Sequence, residues 1–343
     1  MDNPKQALGS FTVVTLLFAG VLLLYNWSSS FSNELVLSQK EPLCEQSNFT
    51  TTNVEAYGDG LDTALAKTSM ENKTVIIAIV NKAYVEQDVE SDTTMLDIFL
   101  GSFWLGEGTR SLIDHLLIVT VDRTAYDRCQ FLRLNCFRLE TDGVDFEGEK
   151  IYMSQDFIKM MWRRTRFLLE VLKRGYNFVF TDTDVMWLRN SFIRLSKNET
   201  EDLQISTYAY LGDHWLEKHP INTGFYFVSS NNKTISLFET WYGQKDKASH
   251  RKKKSKDILF YLIKSGIIKH LGLRVRFLDT LYYFSGFCQN SKDVREVITV
   301  HANCCRSITA QSMSTILGKT FKNKVVSISH RQVRSPTQKP EPL

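Results

Sequence analysis

Short, continuous apolar runs separated by helical patterns set the tightest limit on what this chain can fold into. VIIAIV (75–80) and LLIVTV (116–121) have strand length and almost nothing polar on either face, so each belongs in a sheet covered on both sides. Between them TMLDIFLGSFWL reads as a helix. FVF (178–180) follows a second, stronger helical pattern, and CFRL (136–139) is a further candidate strand. Strands alternating with helices predict an α/β fold: a Rossmann-like, mostly parallel sheet with flanking helices. Beyond residue 200, LQISTYA, GFYFV and LRVRFL read as strands among shorter helices, without internal repeats. In such sheets ligands bind outside the carboxyl ends of the strands. The residues there are Asn81, Asp122, and the TDTD segment with Asp182 and Asp184.

The chain has 343 residues, 43% of them hydrophobic, enough for one sizeable core. Lys and Arg number 42 against 38 Asp and Glu, and a formal net charge of +4 makes no electrostatic case for a nucleic-acid partner. From Phe11 to Trp27 no side chain is charged. As a helix this run would span roughly 25 Å, the thickness of the thinner secretory membranes. Tyr25 and Trp27 close it where interfacial aromatics belong, and Lys5 before it and Glu34 after it favour a cytosolic N-terminus. The competing interpretation is a signal peptide cleaved near Ser28 to Ser30. The predicted organisation is a cytosolic tail (1–10), a transmembrane anchor (11–27), a polar lumenal stem (28–70), a catalytic domain (71–328) and a disordered tail (329–343). Asn26, Asn48, Asn72, Asn198 and Asn232 each open an Asn-x-Ser/Thr sequon, and an even set of 6 cysteines suits an oxidising compartment. Cys129 and Cys136 are candidates for a short-loop bridge.

FVFTDTDVMW sets Asp182 and Asp184 just past a buried strand. Two carboxylates one residue apart can hold Mn²⁺ or Mg²⁺ against a diphosphate, whose charge grows as a nucleotide-sugar bond breaks. The bland alternative is a turn or cap that happens to hold two Asp residues. On the preceding helix (156–173), Phe157, Met160, Met161, Phe167, Leu168, Val171 and Leu172 share one face. Arg164 falls in the middle of it, while Arg163 and Arg166 point away. A buried guanidinium needs a partner: the acidic pair, a donor diphosphate, or a structural carboxylate. Asn222, Thr223 and Gly224 precede the strand in HPINTGFYFV and could border a sugar, or merely form a turn. His301, in VHANCC, could complete a metal shell from far along the chain. Its neighbours Cys304 and Cys305 loosely suggest zinc, but no fourth ligand has the spacing. KDKASHRKKKSKD (245–257) reads as a solvated basic loop, or as a surface facing acidic glycans.

Together, DFIKMMWRRTRFLLEVLKRGYNFVFTDTDVMWLRN, INTGFYFVSSN, FSGFCQNSKDV with VHANCC, and more loosely LIVTVDRTAYDRC, resemble the plant nucleotide-diphospho-sugar transferases, which include cell-wall arabinosyl- and xylosyltransferases. The resemblance covers roughly residues 70 to 325. It implies a GT-A type fold, a Golgi type II single-pass membrane protein, and transfer with retention from a nucleotide-sugar, a UDP-sugar, to a glycan or glycoprotein acceptor. The family's acidic metal-binding pair maps onto Asp182 and Asp184, its HANCC histidine onto His301, and its first-strand Asn onto Asn81. Many members carry Asp-Gln-Asp-Val/Ile-Leu-Asn where this chain reads Ser255, Lys256, Asp257, Ile258, Leu259, Phe260. Only Asp257 of the polar residues remains.

The expected site therefore comprises Asp182, Asp184 and His301 on metal, Arg164 beneath them, Asn81 and Asp122 at the nucleotide, and Asn222 and Gly224 at the sugar. Retention requires a carboxylate nucleophile, for which Asp257 and Asp213 are candidates, or same-face attack guided by the leaving phosphate. A competing enzyme class is the haloacid-dehalogenase-like phosphatase, with Asp182 as nucleophile and Asp184 as acid, in which Glu217 would stand in for a missing downstream Asp. The third alternative is a lumenal binding homologue without turnover.

Overall fold

The computed structural model describes residues 58–86, 93–141, 143–150, 153–195, 200–250, 254–284, 293 and 295–302. The apolar run 11–27, residues 28–57, Cys44, Cys288, Cys304, Cys305 and the tail 329–343 lie outside them. Among the described residues, no helix is long and apolar enough to cross a membrane.

The apolar runs become the centre of a sheet. β1 (Thr74–Val80) pairs in parallel with β2 (Leu116–Thr120) on one side and β4 (Asn177–Thr181) on the other. Ile76 sits opposite Leu116 and Val179. β3 (Asn135–Arg138) continues in parallel as a half-exposed edge beside β2. Beyond β4 come β7 (Ile221–Val228), β6 (Leu203–Thr207) and β8 (Val275–Phe277), giving the order β3-β2-β1-β4-β7-β6-β8. β7 is antiparallel to β4 and to β6, while β6 and β8 are parallel. This single reversal brings the first residues of β7 to the edge where β1, β4 and β6 end.

Alternation along the central strands fills two layers. Val75, Ile77, Leu117, Val119, Phe178 and Phe180 face one side, packed with residues of α5 (Gln155–Lys173), α6 (Asn232–Tyr242) and α8 (Ser255–Lys264). Ile76, Ala78, Leu116, Ile118 and Val179 face the other, against Phe99 and Phe103 of α3 (Met95–Leu105). Burying a side chain of this kind contributes about 1.5–3 kcal/mol, which is why strands apolar on both faces end up covered on both. α2 (Lys82–Val85) follows β1, α4 (Arg123–Phe131) follows β2, and α7 (Lys245–His250) and α9 (Ile267–Leu271) flank α8. A disulfide joins Cys129 of α4 to Cys136 of β3.

A second, three-stranded sheet carries the site's last component. β5 (Val185–Trp187) pairs antiparallel with β10 (Thr299–His301), and β10 pairs in parallel with β9 (Tyr283–Phe284). His301 lies opposite Val185.

Two boundaries differ from those read in the sequence. Residues 58–68, within the expected stem, form α1 (Gly58–Thr68), whose Leu61 and Leu65 are buried in the core beside Leu117 and Phe167. A polar segment with a few spaced leucines was enough to make a helix once a core face was available. Asn222, Thr223 and Gly224, expected just before a strand, are inside β7.

Candidate active site

The carboxyl edge of the sheet opens into a cavity of about 400 Å³. β4 ends at Thr181, and the turn that follows is clamped from two sides. The Asp182 N–H donates to Gly224 O at 2.7 Å, and Asp184 O accepts from the Ala302 N–H at 2.9 Å. The first clamp comes from β7 and the second from the end of β10, so the tertiary pairing of three segments aims the two carboxylates.

His301 Nε2 lies 3.2 Å from Asp184 Oδ1 and 3.9 Å from Asp182 Oδ2. Asp182, Asp184 and His301 each offer one ligand atom, and these atoms all lie within 4.8 Å of one another. Two hard carboxylates and one imidazole form a donor set that suits a divalent cation. Asn222 holds the imidazole from behind, its Nδ2 being 3.0 Å from His301 Nδ1, while its Oδ1 accepts the Gly224 N–H at 2.8 Å. Gly224 leaves room for the group: a Cβ there would sit 2.1 Å from His301 Cε1 and 2.9 Å from Asp182 Oδ2. This glycine is required by close approach, not by its backbone angles.

Arg164 is 6% exposed and donates from Nη1 to Asp182 Oδ1 at 3.1 Å, with its guanidinium carbon 4.6 Å from the centroid of the Phe180 ring. The helix-face argument for its burial therefore holds, and Arg166 is exposed as expected. The first turns of the same face, Phe157, Met160 and Met161, line the cavity. Burial pushes the Asp182 carboxyl above its ordinary range, with Arg164 pulling the other way. Desolvation also opposes charge on the half-buried Asp184, but the neighbouring His301 holds it below the ordinary range. Burial disfavours charge on His301, yet the Asp184 carboxylate outweighs that and raises its proton affinity. A cluster that attracts a proton onto His301 is one that would welcome a metal cation in its place.

Asn81 is 2% exposed and lines the cavity at the end of β1. Its Nδ2 donates to Phe146 O and Gly148 O, but its Oδ1 is buried with no hydrogen-bond partner. That orphaned acceptor fits a ligand N–H or O–H. Tyr84 also lines the wall; burial raises its phenol above the ordinary value, so it stays a hydrogen-bond donor.

Three expected residues are placed elsewhere. Asp122 caps α4, accepting the Ala125 N–H at 2.8 Å, and also accepts the Lys82 N–H at 2.6 Å. Its carboxylate is occupied by backbone amides and is not on the cavity wall. Asp257 lies on α8 with its side chain 45% exposed, 3.9 Å from Lys256, and also stays off the wall. Asp213 is exposed and accepts the Trp215 N–H. Among the described residues, Asp182 and Asp184 are the carboxylates that line the cavity. Conversely Tyr208 lines it without having been singled out, and so do Lys254 and Lys256 of the basic run 245–257. Tyr208 follows β6, and the strand-end rule applied to that strand would have found it.

A mostly parallel sheet of seven strands, with an Asp-x-Asp turn and a histidine at its carboxyl edge, is the architecture of a GT-A type glycosyltransferase. The sequence profile of the family described as nucleotide-diphospho-sugar transferase matches residues 111–312. The chain is 52% identical over 299 residues to the uncharacterized Arabidopsis thaliana protein At1g28695, covering 87% of this chain and 83% of that one. It is 23% identical over 228 residues to the Arabidopsis thaliana UDP-D-xylose:L-fucose alpha-1,3-D-xylosyltransferase 1, covering 64% and 55% respectively. Among solved structures, the apo form of mouse xyloside xylosyltransferase 1 aligns over 68% of this chain and 99% of its own, with 14% identity and a TM-score of 0.39. The protein belongs to the nucleotide-diphospho-sugar transferase family and is a glycosyltransferase. That membership removes the phosphatase interpretation of FVFTDTDV, and Glu217 does not line the cavity.

Proposed function

We propose that the protein transfers a sugar from a UDP-sugar, with Mn²⁺ or Mg²⁺ held by Asp182, Asp184 and His301, onto a glycan or glycoprotein acceptor in cell-wall or glycoprotein biosynthesis. The observation that carries this reading is the convergence of those three ligand atoms within 4.8 Å on the wall of the cavity. A divalent cation bound there would draw charge from the departing nucleoside diphosphate. Arg164 holds Asp182 in place and supplies fixed positive charge beneath the diphosphate. Asn81 Oδ1 receives a hydrogen bond from the nucleoside, and Asn222 and Gly224 shape the wall on the sugar side.

Transfer proceeds with retention. Because Asp257 and Asp213 stay off the wall, a protein nucleophile is poorly supplied, which supports same-face attack guided by the leaving phosphate. On this reading the catalytic domain works in the Golgi lumen, with residues 11–27 as its membrane anchor. The Cys129–Cys136 bridge supports an oxidising compartment, and digestion of the native protein with an N-glycosidase should lower its apparent mass.

The decisive measurement is donor turnover by Asp184→Ala with Mn²⁺ present. A fall of at least about a hundredfold is expected from loss of the charge-stabilising ion; undiminished turnover would refute the metal role.

A further inference from the structure

The edge of the sheet opposite the cavity brings together two motifs that the transfer chemistry does not use. Asn72 and Asn232 each open an Asn-Lys-Thr sequon. Asn72 lies in the turn that enters β1, and Asn232 is the first residue of α6, which follows the end of β7. β7 runs antiparallel to β4, so its end returns to the edge where β1 and β4 begin. Asn177, the first residue of β4, joins the two segments. Its Nδ2 donates to Asn72 O at 3.0 Å, and its Oδ1 accepts the Ser230 N–H at 2.8 Å, two residues before Asn232.

The fold keeps both sequon side chains outside. Asn72 and Asn232 are exposed. Asn72 Oδ1 accepts the Thr74 N–H at 3.2 Å, and its Nδ2 has no hydrogen-bond partner among the described residues. At the start of α6 the capping is done by the neighbouring residue. Asn231 Oδ1 accepts the Lys233 and Thr234 N–H groups at 3.0 Å, and its Nδ2 donates to Asp202 at 2.8 Å. The Asn232 side chain makes no hydrogen bond among the described residues. A glycan's hydroxyls keep their hydration, so only a side chain clear of the packed surface can bear one.

Strand length separates these positions from the cavity. At roughly 3.3 Å per residue, β1 holds the Asn72 turn about 20 Å from Asn81 on the wall, and β7 sets a comparable length between Asn222 and Asn232. Bulky hydrated chains at the amino edge leave the carboxyl edge open. Their attachment is a group transfer from a lipid-diphosphate-linked oligosaccharide. The Asn Nδ2 forms a bond to C1 of the sugar, the bond from C1 to the diphosphate oxygen breaks, and the lipid diphosphate and one amide proton leave.

We propose that Asn72 and Asn232 both carry N-linked glycans, which make the amino edge of the sheet a sugar-covered face and reserve the carboxyl edge for substrates. This rests on the reading that the domain is lumenal. The test is digestion of the full-length chain, purified from a eukaryotic secretory host, with an N-glycosidase in heavy-oxygen water, followed by peptide mass spectrometry. The enzyme converts each Asn that bore a glycan into an Asp carrying the heavy label. Label is expected at both Asn72 and Asn232, and Asn72→Gln and Asn232→Gln should each remove one glycan from the intact mass. Because the glycans stand away from the cavity, UDP affinity with Mn²⁺ should change by less than about twofold on digestion, the usual size of a remote surface change. Label at Asn48 or Asn198 with either Asn72 or Asn232 unlabelled overturns the proposal. So does a change in UDP affinity of about tenfold or more, which would bring the glycans to the cavity edge. Absence of label at every sequon sinks the lumenal reading as well, and is distinguishable because all of them fail alike.

Discussion

Gly224 decides whether the acidic pair and His301 can share one centre. A methyl group at this position would overlap the imidazole carbon at 2.1 Å, so Gly224→Ala must push His301 or β7 aside. The expected outcome is a loss of Mn²⁺ affinity of at least about tenfold, read by calorimetry, with the fold retained by circular dichroism, because the displaced ring is at a cavity rather than deep in the core. Arg164 presents the opposite problem, a cation that cannot leave without stranding an anion. Fully buried ion pairs broken from one side cost about 3–5 kcal/mol; Asp182 is 34% exposed, so Arg164→Met should cost nearer 2 kcal/mol in denaturant unfolding. Bound Mn²⁺ should recover part of that loss, since it restores positive charge beside Asp182.

At the scale of elements, the helices that carry no site residue stabilise the fold through their ends. α3 starts with a capping box in which Thr94 Oγ1 accepts the Asp97 N–H at 3.1 Å and Asp97 accepts the Thr94 N–H at 3.1 Å. Burial opposes ionisation of Asp97, but the Thr94 hydrogen bonds and Arg128 overcome it and hold the carboxyl below its ordinary range. A depressed carboxyl contributes stability that is complete above the unfolded pKa of about 3.9 and is lost as the pH falls through the lower folded value. Thr94→Ala should therefore cost about 1 kcal/mol at neutral pH, and the gap to wild type should narrow in unfolding curves taken below about pH 4. The bridge from α4 to β3 closes a loop with a sequence separation of 7. A loop that short is worth about 2 kcal/mol, so Cys129→Ser with Cys136→Ser should lower the unfolding midpoint and leave donor affinity unchanged.

For the molecule as a whole, the consequence of one cavity fed by strands from both halves of the sheet is that ligand binding and folding are linked. β1, β4, β7 and β10 all contribute wall residues and Tyr208 follows β6, so unfolding any of these strands disrupts the site. Saturating Mn²⁺ and UDP should raise the thermal midpoint, and ligand at about 100 times its dissociation constant adds roughly 2.7 kcal/mol. Mn²⁺ or UDP alone should give a smaller shift than the two together, because a diphosphate would supply further oxygen ligands to the cation.

How far the residues alone led differs between the parts of this design. The apolar runs, the helix face that buries Arg164 and the strand-end positions of Asn81 and Asp182 were legible, because a strand's two faces and a helix's stripe are set by local period. The role of Asp122 and the place of Lys256 on the cavity wall were not. Asp122 stands at a strand end like Asn81, yet the α4 amides took its carboxylate, a competition that depends on how the next helix docks. Lys256 reads as one more charge in a basic run until Ser255 is seen locked between α5 and α6. Local patterns in the chain were enough to set the elements and the chemistry available at their ends. Which of those ends share a cavity was settled by the folded chain, because pairing His301 with Val185 and Gly224 with the Asp182 turn depends on contacts between segments tens of residues apart, which no local pattern encodes.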